Sequence, residues 1–441
     1  MSRPPPSPTS SPWVTPVVII VGLAALVGLF FSLPQPQVSP AVVTSPALVQ
    51  KPTPSQKNIE PPDSPQVVGA PAPVPRQIVP EGLAKLKKLM EVPSAVPNEA
   101  VLTFKNPAAM KRFIAKAASL GLRVLTSIDA LNAVRVGYSD LGNLHRYLTS
   151  VGTDVDAPIS EPHHYMATPP LQKAKDNQGG TSPVGASYLN AINASGDRST
   201  WGAGVTVAVL DSGIMAHPTF DQAQVTHIDL VMDGKTMHSH GTSVASLIAG
   251  QDGQVPGVAP AAKLLDIRVA NDKGMSFSTL LAQGIIEAVA RGAQVINISL
   301  GGYDDSQVLR RAVEYAQQKG AIIVAAAGND AYQNLAYPAA YDSVISVGSV
   351  DKNSRQAYFS NSGTGLDIAA PGVGLPVAWD TDKAASASGT SQSAGVVSGA
   401  VATYLSWGVP GRDIPRRLQA NARATGAPPV QVGSGVVWLR R

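Results

Sequence analysis

Three short stretches of the chain carry the residue types of a nucleophilic relay. Asp211 closes the run VAVLD and is followed by Ser-Gly, His240 opens HGTSVA, and Ser391 sits in the Gly-Thr-Ser that heads QSAGVVSGAVATYL. In such a relay the hydroxyl attacks an acyl carbon and the imidazole takes its proton. The acid fixes the imidazole tautomer and stabilises the imidazolium. Each stretch alone has an ordinary structural reading: Asp-Ser-Gly is a common turn, a His before Gly is a cap or a core residue, and Gly-Thr-Ser recurs by chance.

The elements around them decide whether the three could meet. From residue 186 onward short apolar runs alternate with helical patterns. VTVAVLD, AKLLDIRVA, AQVINISL, GAIIVAAAG and SVISVGSV read as strands buried on both faces, and GTSVASLIAG, STLLAQGIIEAVARG and QVLRRAVEYAQQKG read as the intervening helices. This is the pattern of a parallel α/β sheet, in which ligands sit beyond the carboxyl ends of the strands. Asp211 falls at such an end. The helix after Ser391 is built from Ala, Gly, Ser and Val, which are poor or indifferent helix formers apart from Ala, so tight packing must hold it.

The flanking residues make the match specific. VAVLDSGI, HGTSVA, GVAP at 257–260, VINISLGG, AAAGN and IAAPG follow one another in an order that resembles the subtilisin-like serine protease (subtilase) family, over roughly residues 187–439. The resemblance implies a serine endopeptidase with Asp211, His240 and Ser391 as catalytic residues, acting on a protein or peptide substrate without a required cofactor. It further implies Asn329 as the side-chain donor to the developing oxyanion beside the Ser391 N–H, backbone pairing of substrate with Ser299, Leu300 and Gly301, and Gly328 lining the pocket before the scissile bond. GSGVVWL resembles the family's last strand. Two departures stand out. Gln392-Ser393-Ala394-Gly395-Val396 follows the nucleophile, with Gly395 where the family has Pro. The connection GQDGQVP is too short to supply the six to eight oxygens of a calcium site, which argues against calcium there.

Ahead of this domain, residues 81–166 read as βαββαβ, a split βαβ, ferredoxin-like α+β unit. It resembles the family's propeptide, which implies an intramolecular inhibitor. His163 and His164 in EPHHYM lack partner ligands at metal spacing and read as exposed loop histidines. The Pro/Gly/polar connection 167–185 reads as a processing linker, and 186–441 as the catalytic domain.

The N-terminal 80 residues speak to compartment. Residues 13–33 are apolar and uncharged, as in a secretory signal or a single span. The nearest small-x-small site, Ser39-Pro40-Ala41, lies well past the apolar core and contains Pro, which favours an uncleaved membrane anchor. The Pro-rich stretch 34–80 is then a tether, and the folded part is extracytoplasmic. With 34 Lys and Arg scattered against 30 Asp and Glu, the net charge of +4 offers no phosphate-binding stripe, so nucleic acid is not an expected partner. The absence of Cys excludes disulfides and thiolate chemistry. Two other readings remain open: a dedicated maturation protease or peptide transferase for one substrate, and a non-catalytic tethered binding protein.

Overall fold

A computed structural model describes residues 81–169, apart from 153 and 155, and residues 181–441. The apolar segment 13–33, the linker 34–80 and most of the 167–185 connection lie outside the described residues. The described residues form one compact unit.

The N-terminal part runs α1 (Glu81–Met90), β1 (Ala95–Thr103), α2 (Pro107–Lys116), β2 (Leu122–Ile128), β3 (Ala133–Tyr138), α3 (Leu141–Ser150) and β4 (Ile159–Ala167). The expected βαββαβ order is present, with α1 added in front of it. Asn106 and Asp140 start α2 and α3 by accepting backbone N–H groups with their side chains, as N-cap residues do. Leu102, Phe104, Met110, Phe113, Leu144 and Tyr147 pack between the helices and one face of the sheet.

The larger part begins with the short helix α4 (Tyr188–Ala191) and continues through β5 (Thr206–Asp211), β6 (Val225–Asp229), α5 (Ser239–Ala249), β7 (Lys263–Arg268), β8 (Met275–Phe277), α6 (Ser278–Ala290), β9 (Val295–Ile298), α7 (Gln307–Gln318), β10 (Ile322–Ala326) and β11 (Ile345–Val350). It ends with β12 (Ile368–Pro371), the hairpin β13 (Leu375–Trp379) and β14 (Lys383–Ala387), and the helices α8 (Thr390–Ser406), α9 (Ile414–Asn421) and α10 (Pro429–Val432). Seven strands form a parallel sheet in the order β12-β11-β10-β9-β5-β7-β6. Side chains alternate across it. Val207 and Val209 join α5 and α8 on one face, while Ala208 and Leu210 join α6 and α7 on the other. GSGVVWL does not form the expected strand: Val436 makes single bridges to Ala369 and Arg423, because Gly433 and Gly435 both adopt positive φ and bend the chain away from a ladder.

Helix α8 is buried from Thr390 through Tyr404. Its small residues face α5. A Cβ on Gly395 would lie 3.0 Å from the Val244 carbonyl, and one on Gly399 would lie 2.7 Å from Val258 Cβ and 3.2 Å from the Ile248 carbonyl.

The two parts share surfaces. β8 adds to the N-terminal sheet beside β4, giving the order β2-β3-β1-β4-β8. Val101, Ile128, Leu131 and Met166 merge with the core formed around α6 and α7. Polar groups at this surface overturn one expectation, since His163 and His164 lie in β4 and are buried, not exposed in a loop. His163 bridges Glu99 Oε2 and Thr279 Oγ1 of α6, each at 2.8 Å, and burial holds it well below the usual histidine range, at about 4. Glu161 from β4 accepts the Gln307 and Val308 N–H groups at 2.5 and 2.8 Å, at the start of α7. Burial outweighs those hydrogen bonds and pushes its carboxyl up to about 7.

Two outcomes follow from this packing. Gly399→Ala should lower the denaturation midpoint by an overpacking cost of about 1–3 kcal/mol, partly offset by the better helix propensity of Ala; equal or higher stability would show that α5 and α8 can separate freely. Glu161 takes up a proton on burial between its ordinary value of 4.5 and about 7, so its contribution is largest at low pH and is lost as pH rises through 7. Melting curves should therefore show Glu161→Gln gaining on wild type from pH 5 to 7 and then levelling, whereas a pH-independent difference would contradict this burial cost.

Candidate active site

Asp211 and His240 are hydrogen-bonded where β5 ends and α5 begins, and Ser391 stands in the first turn of α8, which packs against α5, with its hydroxyl on the Ser299 carbonyl rather than on His240. Asp211 closes β5 and is fully buried. Its Oδ1 and Oδ2 lie 2.8 and 3.0 Å from His240 Nδ1, and Oδ1 also accepts the Ser212 N–H at 2.7 Å. A carboxylate only accepts, so Nδ1 carries the proton and Nε2 is left as the basic nitrogen. His240 occupies the first turn of α5, whose cap is His238: its Nδ1 accepts the His240 N–H at 3.2 Å. Ser212 Oγ fixes the same turn by accepting the Gly241 N–H at 3.1 Å.

Ser391 is the second residue of α8. Gln392 beside it reaches Ser243 of α5 at 3.3 Å, so the two first turns are tied together. The Ser391 hydroxyl donates to the Ser299 carbonyl at 3.3 Å. A return bond runs from Ser299 Oγ to the Ser391 carbonyl, also at 3.3 Å. Buried Asn297 completes the frame, donating to Ser299 Oγ at 3.0 Å and accepting from Ser398 Oγ at 2.9 Å. The end of β9 is thus pinned to α8 at two levels.

Asn329 follows β10. Its Oδ1 accepts both the Thr390 N–H and the Thr390 hydroxyl, at 2.9 and 2.8 Å, which settles the amide orientation and turns Nδ2 away from them. A Cβ on Gly389 would stand 3.0 Å from Nδ2 and 3.7 Å from the Ser391 nitrogen. The two donors therefore border one small space at the head of α8, where first-turn N–H groups have no intrahelical acceptor and the dipole is positive. Thr390, Asn297 and Asn361 were not singled out in the sequence. Thr390 stands inside the Gly-Thr-Ser motif, but a side-chain bond to a residue 61 positions away leaves no mark on spacing.

The cavity beside this space measures about 230 Å³ and is bordered by Ser299, Leu300, Gly301, Gly328, Asn329 and Tyr303. Leu300 contributes backbone, its side chain being buried in the α6/α7 core. Gly328 has φ of +113°, and a Cβ there would fall 2.3 Å from Asn361 Nδ2, so only Gly fits. Asn361 in turn accepts the Asp330 and Tyr332 N–H groups at 3.0 Å each, and Asp330 accepts the Tyr303 hydroxyl. Among the described residues no group of three or more His, Asp or Glu side chains is placed to hold a metal ion. In the 250–256 connection Asp252 Oδ1 accepts the Gln254 N–H at 2.7 Å and the Gly250 carbonyl accepts the Gly257 N–H at 2.7 Å.

Residues 202–431 match the Subtilase family. Subtilisin BL of Lederbergia lenta is 37% identical over 223 residues, covering 50% of this chain and 82% of the relative. The thermostable alkaline protease of Halalkalibacterium halodurans is 35% identical over 266 residues, covering 59% and 73%. In the crystal structure of fervidolysin from Fervidobacterium pennivorans, a keratinolytic enzyme related to subtilisin, the fold agrees with a TM-score of 0.66 at 23% identity. That match spans 78% of this chain and 60% of the other. The fold and these matches define a serine endopeptidase, a hydrolase of peptide bonds. The chain belongs to the subtilase family.

Thr390→Val should cost about 1–3 kcal/mol in urea denaturation, because it leaves the Gly328 N–H and one Asn329 lone pair without partners. Thr390→Ser should restore most of that. Equal stability of the Val and Ser variants would remove the hydroxyl from this role.

Proposed function

We propose that the protein is an exported, membrane-tethered serine endopeptidase made as a zymogen, with Asp211, His240 and Ser391 as its triad. The observation that carries this reading is the buried Asp211–His240 hydrogen bond at the head of α5, packed beside the helix that Ser391 heads. In the resting arrangement the Ser391 hydroxyl rests on the Ser299 carbonyl. A bound substrate whose N–H takes that carbonyl frees the hydroxyl to turn to His240 Nε2. Attack then forms the Ser391 ester as His240 passes the proton to the leaving amine, and water releases the acyl group by the same route.

Charge on the attacked carbonyl oxygen would be met by Asn329 Nδ2 and the Ser391 N–H, held in place without reorganisation. Ser299, Leu300 and Gly301 would add the substrate as an extra strand, with Gly328 flooring the pocket before the scissile bond. The N-terminal α+β part would serve as the inhibitory propeptide, removed by cutting within 167–185. Export and anchoring rest on the apolar segment 13–33; among the described residues no helix is long and apolar enough to cross a membrane.

Ser391→Ala should lower peptide hydrolysis by several orders of magnitude, abolish labelling by a fluorophosphonate probe and leave the melting temperature near wild type. Retained labelling or hydrolysis would remove Ser391 as nucleophile.

A further inference from the structure

The sheet face that carries α5 and α8 holds a cluster of charged side chains next to Asp211. β7 pairs with β5 so that Asp266 stands beside Val209 and Arg268 beside Asp211, and β6 places His227 beside Asp266 and Asp229 beside Arg268. Alternation along β7 puts Asp266 and Arg268 on the same face as Leu264, which packs in the α5/α8 core. Both are buried. Arg268 gives Nη1 to Asp229 and Asp233, at 2.9 and 2.8 Å, so its charge is committed away from Asp266. The partner of Asp266 is instead His227 on the edge strand β6, whose Nδ1 lies 2.5 Å from Asp266 Oδ2 and whose side chain is 39% exposed. The same oxygen accepts the Ile214 N–H at 2.9 Å. Oδ1 has no hydrogen-bond partner among the described residues. A buried carboxylate so incompletely paired is costly, and an apolar side chain at this point of the strand would cost less. What Asp266 holds is the turn that follows Asp211. Residues 212–215 are stitched to the first turn of α5 at two further points: Ser212 Oγ accepts the Gly241 N–H at 3.1 Å, and the Met215 N–H donates to Thr242 Oγ1 at 2.9 Å. A Cβ on Gly241 would fall 2.5 Å from the Gly213 carbonyl oxygen and 3.2 Å from Asp211 Cβ, so the turn and the helix start are in direct contact beside His240.

We propose that Asp266, paired with His227, is a positioning residue for His240: through Ile214 it fixes the turn against which the histidine's helix is seated, and its charge acts on the imidazole from the same face of the sheet. This rests on His240 being the general base. Burial pushes the Asp266 carboxyl up and the Asp211 charge adds to that, while the hydrogen bond to Asp266 raises His227. The other charged and titratable groups facing the pair are Asp211 from β5, Arg268 from β7, Asp229 and Asp233 from β6 and the loop after it, and His238 and His240 from α5. Arg268 is charged throughout and already engaged by two carboxylates, and burial holds His238 low. A negative charge at 266 favours the imidazolium form of His240, so its loss lowers the pH at which that ring gives up its proton.

The test uses the full chain in detergent with isotope-labelled histidine, as wild type, Asp266→Asn, Asp266→Leu, His227→Asn and His227→Leu. Ring nitrogen chemical shifts report the His240 titration directly, its signal being assigned by loss in His240→Gln, and the pH profile of peptide hydrolysis is taken once limited proteolysis has removed the N-terminal part. Asp266→Asn keeps an oxygen for the Ile214 N–H but no charge. It should lower the His240 midpoint, and the acid limb of kcat/KM with it, by about one pH unit. Asp266→Leu also loses the acceptor and should lower kcat roughly 10- to 100-fold with KM near wild type. His227→Asn still donates to Asp266 and should keep more of kcat than His227→Leu. An unmoved midpoint in Asp266→Asn, a folded Asp266→Leu with wild-type kcat, or equal kcat in the two His227 variants overturns the proposal. If Asp266→Leu does not fold, the Asp266→Asn midpoint decides. A wild type whose His240 titration responds to Asp266, but which neither hydrolyses peptides nor labels with fluorophosphonate, defeats the protease reading, and the positioning role falls with it.

Discussion

Helices α5 and α8 must begin side by side on one face of the parallel sheet, and their close approach is the constraint on which the site depends. An imidazole and a hydroxyl are useful to each other only within hydrogen-bonding reach. Each comes from the first turn of its own helix, so the interhelical distance sets theirs. Gly395 and Gly399 place no side chain where α8 approaches α5, and Gln392 to Ser243 ties the N-terminal ends of the two helices together. A helix of Ala, Val, Ser and Gly contributes little by intrinsic propensity. It is held instead by burial along fifteen consecutive residues, Thr390 through Tyr404.

The proposed role of Asn329 and the Ser391 N–H as donors requires that both be fixed before any substrate arrives. Asn329 is oriented from its far side by Thr390, so its amide nitrogen needs no search. The strand end at Ser299 is likewise tied to α8, through Ser391 itself and through Asn297. Ser299, Ser391 and Asn329 are therefore linked through α8 by side-chain and main-chain hydrogen bonds. Polar groups in so dry a region are costly unless paired, and Asn297, Ser299, Ser398 and Ser391 pair with one another, whereas the buried Gln392 Oε1 beside them has no partner among the described residues.

Much of this was legible in the sequence. Strands buried on both faces announced themselves as continuous apolar runs, and Asp211, His240 and Ser391 stood out as candidates because they sit at element ends in recognisable company. What escaped notice depends on tertiary contact. β8 is three residues long and exists as a strand only because β4 pairs with it. His163 and His164 looked like loop residues because nothing local reveals that β4 is covered by α6 and by Asp304 and Asp305 near α7. β6, β12 and the β13–β14 hairpin are strands of four or five residues, interrupted by Thr-His, Pro or Ser, and so lack the longer unbroken apolar runs that marked the other strands. Gly433 and Gly435 looked compatible with a closing strand, and their positive φ excluded it.

The pairing of β8 with β4 has a consequence for the protein without its N-terminal part. β8 then becomes an open strand edge, with Met275 and Phe277 beside it and the apolar surface that met Val101, Ile128, Leu131 and Met166 uncovered. Edges of this kind recruit strands from other chains. A substrate polypeptide is one such strand and a neighbouring copy of the protein is another. An edge able to receive a substrate strand would thus also favour self-association of the protein lacking its N-terminal part, the more so the higher its concentration.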